Sequence, residues 1–237
     1  QTFSGTPLND DVGSRSIRVT ATDTSGASAT QDFQVTVNNT NDAPVITSSG
    51  AASFAENAAG TVYTAAATDV DTGATLTYSI SGADAALFNI DATTGVVTFK
   101  SSPNYEAPGD AGGNNVYDIT VGASDGTVTT TKDVAISVTN VNEGPVFTSA
   151  TTASFAETAS GAAYTAAATD PDAGAVLTYS ISGADAALFD IDPATGAVTF
   201  KSAPNYEAPG DAGGNNVYDV NVTVSDGTNT ATQAVAI

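Results

Sequence analysis

The chain has 237 residues, with 5 basic side chains against 26 acidic ones and a formal net charge of −21. Such a surface repels nucleic acid and anionic membranes, since both require basic patches, and it suits a chain that binds cations. Cys, His, Met and Trp are all absent, which removes disulfides, thiolate and imidazole zinc sites, the thiol nucleophile and the commonest general base.

No apolar run approaches the ~20 residues of a membrane-spanning helix, so no membrane insertion is expected. The opening Gln1-Thr2-Phe3-Ser4-Gly5 is not a signal peptide. Residues 1–40 alternate apolar and polar positions in Ile17-Arg18-Val19-Thr20-Ala21 and again in Phe33-Gln34-Val35-Thr36-Val37. Period-2 alternation marks half-buried antiparallel strands. Two strands cannot bury a core alone, so residues 1–42 read as the C-terminal part of a domain.

A second domain, 43–143, follows the short boundary Asn39-Thr40-Asn41-Asp42-Ala43-Pro44. Seven strands are predicted in it, at about 45–55 (A), 61–68 (B), 75–81 (C), 87–91 (D), 95–101 (E), 116–124 (F) and 129–139 (G). Val, Ile, Thr and Tyr fill them, and Gly, Asn, Asp and Pro separate them. Ala83-Asp84-Ala85-Ala86-Leu87-Phe88 reads as a helical turn or loop between C and D. After the boundary Asn140-Val141-Asn142-Glu143-Gly144-Pro145, a third domain spans 144–237. It copies the second, and Ile237 matches Ile136, so its last strand reads as cut short. Phe54-Ala55-Glu56 returns as Phe155-Ala156-Glu157, 101 positions on, and Asn104-Tyr105-Glu106 returns as Asn205-Tyr206-Glu207. A period of this length is a whole β-sandwich rather than a solenoid turn. The expected fold is all-β, a tandem of seven-stranded Greek-key sandwiches.

Strand direction sorts the acids. A, C, E and G run away from the N-terminal end of a domain, and B, D and F return to it. Asp69 and Asp71 close strand B and Asp125 closes strand F, so all three fall at the N-terminal pole. Glu56 and Glu106 fall at the opposite pole. Stacking of the repeats is expected to bring Glu56, Glu106, Asn140, Asn142 and Glu143 onto Asp170, Asp172 and Asp226. The first boundary offers Asn39, Asn41 and Asp42 to Asp69, Asp71 and Asp125, while Glu157 and Glu207 repeat the far pole in the third domain. Unit charges ~4 Å apart repel by about 1 kcal/mol in water and by more where water is excluded. Lys132, the one basic residue expected near the outgoing boundary, cannot neutralise such a set. Calcium can, because it takes six to eight oxygen ligands of these types.

These elements resemble the calcium motifs of cadherin repeats, in the family's order: Phe54-Ala55-Glu56-Asn57, Asp69-Val70-Asp71, Asn104-Tyr105-Glu106, Ala123-Ser124-Asp125 and Asn140-Val141-Asn142-Glu143-Gly144-Pro145. The resemblance covers about residues 43–237. Residues 1–40 are similar to the dystroglycan-type cadherin-like domain through Phe3-Ser4-Gly5-Thr6-Pro7 and Ala21-Thr22-Asp23-Thr24-Ser25-Gly26. The resemblance implies calcium between repeats, a rod stiff when calcium is bound, and a role in adhesion. Asn39, Asn104, Asn140 and Asn205 stand where the family usually has Asp, and Glu143 replaces a linker Asp, which implies weaker or fewer ions. Without Trp, the strand-swap pairing of vertebrate classical cadherins does not carry over.

The Thr-, Ala-, Ser-, Gly-, Asp- and Asn-rich composition is that of a secreted bacterial surface protein. The chain is read as a non-enzymatic, calcium-stiffened spacer and adhesin segment at the cell surface, with homophilic, matrix or biofilm roles. Its partners would be neighbouring repeats, identical chains, or cell-surface and matrix components. A filament or surface-layer subunit, or a carbohydrate-binding stalk of a secreted enzyme, is the alternative. Asp110 in the Gly- and Asn-rich turn 108–115 is a secondary cation candidate, though an exposed loop is the plainer reading. A glycosidase pair at Asp69 and Asp71 is disfavoured, since catalysis needs two carboxyls flanking a cleft, one with a raised pKa.

Overall fold

The computed structural model describes residues 4–237. Phe3, the first residue of the Phe3–Pro7 stretch, lies outside them. The chain divides into two compact units, one ending at Thr139 and the other running Asn140–Ile237.

In the first unit, β1 (Gly13–Thr22) and β2 (Ser28–Val37) form an antiparallel hairpin with Thr22 opposite Ser28. Its turn closes on Asp23, whose Oδ1 accepts the amides of Ser25 and Ala27, and Gly26 supplies a φ of +87°. No residue from 4 to 43 is buried, so the hairpin has strand chemistry but no core, as its length requires.

The remainder of the unit is a sandwich. Its strands are β3 (Val45–Ile46), β4 (Ala51–Ala55), β5 (Thr61–Thr64), β6 (Ala67–Thr68), β7 (Thr77–Ser81), β8 (Phe88–Ile90), β9 (Val96–Phe99), β10 (Val116–Ser124) and β11 (Thr129–Thr139). One sheet has the order β4-β11-β10-β7 and the facing sheet the order β5-β9-β8, with β3 paired to β6. β4 is parallel to β11, and the other pairs are antiparallel. These directions are the ones expected from the sequence. Period 2 sends Tyr117, Ile119 and Val121 of β10 inward, to meet Val97, Phe88, Val134 and Ile136. Phe54, Phe99, Phe88 and Tyr117 stack in sequence, with ring centroids 4.3 to 6.0 Å apart, a geometry aromatic rings favour.

Two predicted strands are broken. Strand A divides at Thr47–Gly50, where the chain crosses from one sheet to the other. The crossing is held by the Tyr63 hydroxyl, which donates to the Ser49 carbonyl at 2.6 Å. Strand B divides between β5 and β6, with a register shift at Thr61/Tyr63. Lys132 also departs from expectation. It lies opposite Val121, toward the Asp125 end of β11, and its ammonium donates to the Ser48 carbonyl.

The second unit repeats the pattern with β12 (Val146–Phe147), β13 (Ala162–Thr165), β14 (Ala168–Thr169), β15 (Thr178–Ser182), β16 (Phe189–Ile191), β17 (Ala197–Phe200), β18 (Asp219–Ser225) and β19 (Thr230–Ala236). Its core is the matching set of Tyr164, Phe189, Val198, Tyr218, Val220, Val222 and Val224. The copy is not perfect. Where the first unit has β4, the second has a single parallel bridge, Thr152 to Ala236. The predicted helical turn is a three-residue 3-10 turn in both copies, Ala85–Leu87 and Ala186–Leu188.

Candidate metal centre

β10 ends at Ser124 and β6 at Thr68, so Asp125, Asp69 and Asp71 begin the turns at one end of the first sandwich. The run before β3 reaches the same end. There Asp42 donates its amide to Asp71 Oδ2 at 2.7 Å, and Asn41 donates its side-chain amide to Asp125 Oδ2 at 2.8 Å. Asp71 donates its own amide to Asp69 Oδ1 at 2.8 Å. The other Asp125 oxygen accepts from Thr127 and Val128, at 2.6 and 2.7 Å. The amides of Val128 and Thr127 and the Asn41 side chain hold the Asp125 carboxyl below the usual range, so it is ionised at neutral pH.

Asn9 completes this end, donating from its side chain to Asp42 Oδ2 at 2.8 Å. Its distance of 33 residues from Asp42 left no local signal for it. Asn39 is exposed, and the donor to Asp71 is the Asp42 amide instead.

The second unit builds the same end. Glu143 donates its amide to Asp172 Oδ2, and Asn142 its side-chain amide to Asp226 Oδ2, both at 2.8 Å. Asp172 donates its amide to Asp170 Oδ1 at 3.0 Å. Asn140 here does reach Asp172, donating to Oδ1 at 2.8 Å. Asn229, absent from the sequence expectation, clamps the linker by donating to the carbonyls of Asn142 and Glu143 at 3.1 and 3.0 Å. The amide of Thr228 and the side chain of Asn142 lower the Asp226 pKa, as their counterparts do for Asp125.

The opposite end of the first sandwich carries Glu56, just after β4, and Glu106, whose carboxylate oxygens lie within 4.8 Å of each other. Tyr105 donates its amide to Glu56 Oε2 at 2.7 Å. In the second unit Tyr206 does the same to Glu157 at 2.8 Å, while Glu207 is exposed and donates its amide to Asn205 Oδ1.

These oxygens suit a hard cation. Asp69 Oδ2, Asp71 Oδ1 and Asp170 Oδ2 are buried and accept no hydrogen bond. A buried carboxylate oxygen without a donor is costly. Asp42, Asp71 and Asp69 are joined there by hydrogen bonds, with Asp125 at the same end, so a positive charge would suit these oxygens. The donor set is all oxygen, which suits calcium and not softer metals. Asp110 shows a different pattern. Its two oxygens accept from Asn114 and Asn115, both at 3.0 Å, so it braces the loop. Burial opposes its ionisation, but those amides prevail and hold its pKa below the ordinary value.

Among the described residues, Tyr63, Tyr117, Tyr164, Tyr218, Phe88 and Phe189 are buried; Phe33, Tyr105 and Tyr206 are exposed, the two tyrosines next to the glutamates.

The fold is that of tandem β-sandwiches of cadherin and immunoglobulin-like type. Residues 51–139 match the family described as "Cadherin domain", and residues 1–38 match one described as "Putative Ig domain". Among solved structures the chain is similar to the protocadherin gammaB7 EC3-6 cis-dimer, with 19% identity and a TM-score of 0.61 over 97% of this chain and 60% of that one. It is similar to human protocadherin-24 EC1-2, with 22% identity and a TM-score of 0.60 over 83% of this chain and 95% of that one. It is also similar to extracellular cadherin domains 3-6 of protocadherin gamma B2, with 20% identity and a TM-score of 0.60 over 98% of this chain and 61% of that one. Two of these three structures are thus spanned over about three-fifths of their length. No curated protein sequence matches the chain. No enzymatic family is indicated by these matches, and no helix among the described residues is long and apolar enough to cross a membrane.

Proposed function

We propose that the chain is a segment of an extracellular, calcium-stiffened adhesion array of bacterial surface type. It would comprise the end of a dystroglycan-type domain (1–42) and two cadherin repeats (43–143 and 144–237). The observation that carries this reading is the recurrence of buried carboxylate oxygens without donors, at Asp69 and Asp71 in one repeat and at Asp170 in the next. Asn41, Asp42, Asp69, Asp71 and Asp125 would hold the ion in the first repeat. Asn140, Asn142, Glu143, Asp170, Asp172 and Asp226 would do so in the second, and the glutamates Glu56, Glu106, Glu157 and Glu207 would serve the far ends. When bound, calcium supplies the positive charge that offsets these carboxylates.

The protein's own groups do the rest. Amide hydrogen bonds from Asp42, Asp71, Glu143 and Asp172 hold one oxygen of each acceptor carboxylate and aim its plane. The array then works mechanically, holding an adhesive tip at a distance or pairing with identical chains. The cis-dimer named for the protocadherin gammaB7 relative supports the second use.

The test is small-angle scattering of the chain in calcium and then in chelator. A maximum dimension that is well defined in calcium and spreads to a flexible distribution in chelator supports the reading. Identical profiles, with no heat on calcium titration, refute it.

A further inference from the structure

Each repeat carries a second pair of acids that cation binding leaves unused. Asp84 and Asp110 are 3% and 7% exposed, and Asp185 and Asp211 repeat those values. Burying a lone charge is very costly, and none of these is lone. Asp84 accepts from the Ala111 amide through Oδ1 and from the Asp118 amide through Oδ2, both at 2.7 Å. It therefore ties the loop after β9 to the start of β10. Asp110 grips the other end of that loop through the amides of Asn114 and Asn115, both at 3.0 Å.

Asn115 sits at a φ of +62°, a left-handed conformation that Asn tolerates. Its side-chain amide donates to the Tyr105 carbonyl at 2.8 Å, and the Tyr105 amide donates to Glu56 Oε2 at 2.7 Å. Two buried aspartates are thus linked through one asparagine and the backbone of one tyrosine to an acid of the candidate metal centre. The second repeat reproduces every link. Asp185 holds Ala212 and Asp219, Asp211 holds Asn215 and Asn216, Asn216 donates to Tyr206 at 3.0 Å, and Tyr206 donates to Glu157 at 2.8 Å.

We infer that Asp84, Asp110 and Asn115, with their copies Asp185, Asp211 and Asn216, are positioning residues for the glutamate end of each repeat. The loop they brace, Pro108 to Asn115, contains three glycines. Unbraced, it would sample many conformations and carry the Tyr105–Glu106 peptide with it. Held by the two aspartates, that peptide presents Glu106 beside Glu56 in one geometry, so little ordering remains when the ion binds. Outer partners of metal ligands act in this way, and losing one typically costs 10- to 100-fold in affinity. The inference rests on the calcium reading proposed above.

Calcium chloride titrated into the full 237-residue chain by calorimetry tests it, with the double variant Asn115→Gly and Asn216→Gly. Glycine accepts the left-handed backbone without strain and removes the links to Tyr105 and Tyr206. An affinity lowered about tenfold with an unchanged far-ultraviolet spectrum is expected. Asp91→Asn is the control: Asp91 caps an exposed turn by accepting from Thr93 and Thr94, at 2.9 Å each, and its loss should leave affinity unchanged. Wild-type affinity in the double variant, or an equal loss in the control, overturns the positioning role. Absence of calcium uptake by the unaltered chain overturns the underlying reading, and this inference with it.

Discussion

Replacing Asp71 by Asn should change stability in opposite directions with and without calcium. Asn keeps the side-chain length and an oxygen to accept the Asp42 amide, now bound to Oδ2 at 2.7 Å. It removes one charge and the carboxylate oxygen Oδ1, which is buried without a donor. Hydrogen bonds gather Asp42, Asp69 and Asp125 at the same end of the sandwich. Without a cation these charges repel, by about 1 kcal/mol for a pair ~4 Å apart in water and about 4 kcal/mol at a protein surface. Because water reaches this end of the sandwich, the relief from removing one charge is roughly 1 kcal/mol, or about 4–8 °C in melting temperature for a domain of up to ~100 residues. With calcium, the balance reverses. Extracellular calcium modules bind at about 10⁻⁴ to 10⁻³ M, so ~10 mM calcium exceeds the tighter value ~100-fold and stabilises the native state by about 2.7 kcal/mol. A variant that has lost the site forgoes this and keeps only the ~1 kcal/mol relief, a net loss of roughly 2 kcal/mol. Thermal melts followed by circular dichroism at pH 7 and low salt, in calcium and in chelator, provide the assay. A change of the same sign in both buffers refutes the reasoning.

Two further outcomes follow from the scaffold. Gly95 has a φ of +71°, and a Cβ there would meet the Ala65 carbonyl oxygen at 2.3 Å, while Gly73, at +85°, faces open space. In urea denaturation Gly95→Ala should cost about 3 kcal/mol or more, from strain plus overpacking, and Gly73→Ala about 1 kcal/mol from strain alone. Acid should also loosen the turns at Asp91 and Asp192. Their carboxyls are held below the ordinary value, the first mainly by the Thr94 and Thr93 amides and the second by those of Ala194 and Thr195. A depressed folded pKa contributes stability that is complete above the unfolded value of about 3.9 and is lost as pH falls through the folded one. Melting temperature measured from pH 6 down to pH 2 should therefore fall less steeply below about pH 4 in the double variant Asp91→Asn, Asp192→Asn than in the unaltered chain.

Much of the architecture is local information. The alternation in Tyr117–Ser124 and Phe33–Val37 marks strands because successive side chains point to opposite faces. The 101-position echo of Phe54-Ala55-Glu56 marks a repeated sandwich. Strand direction alone was enough to put Asp69, Asp71 and Asp125 at one end and Glu56 and Glu106 at the other, because antiparallel pairing sends alternate strand ends to opposite poles. Contacts between residues far apart in sequence are a different matter. Asn9 meets Asp42 only because the β1–β2 hairpin returns the chain there. The break in strand A depends on a tyrosine hydroxyl 14 residues further along. Asp84, in the segment read as a helical turn or loop, is buried and accepts from amides 27 and 34 positions away. The sequence by itself thus determined most of the strands, their directions and the two acidic ends of each repeat, though not the breaks in strands A and B, because alternation and chain reversal are properties of neighbouring residues. Tertiary structure alone decided which of those acids lack a donor and which are braced from behind, because hydrogen-bond satisfaction depends on groups brought together by folding and not by order along the chain.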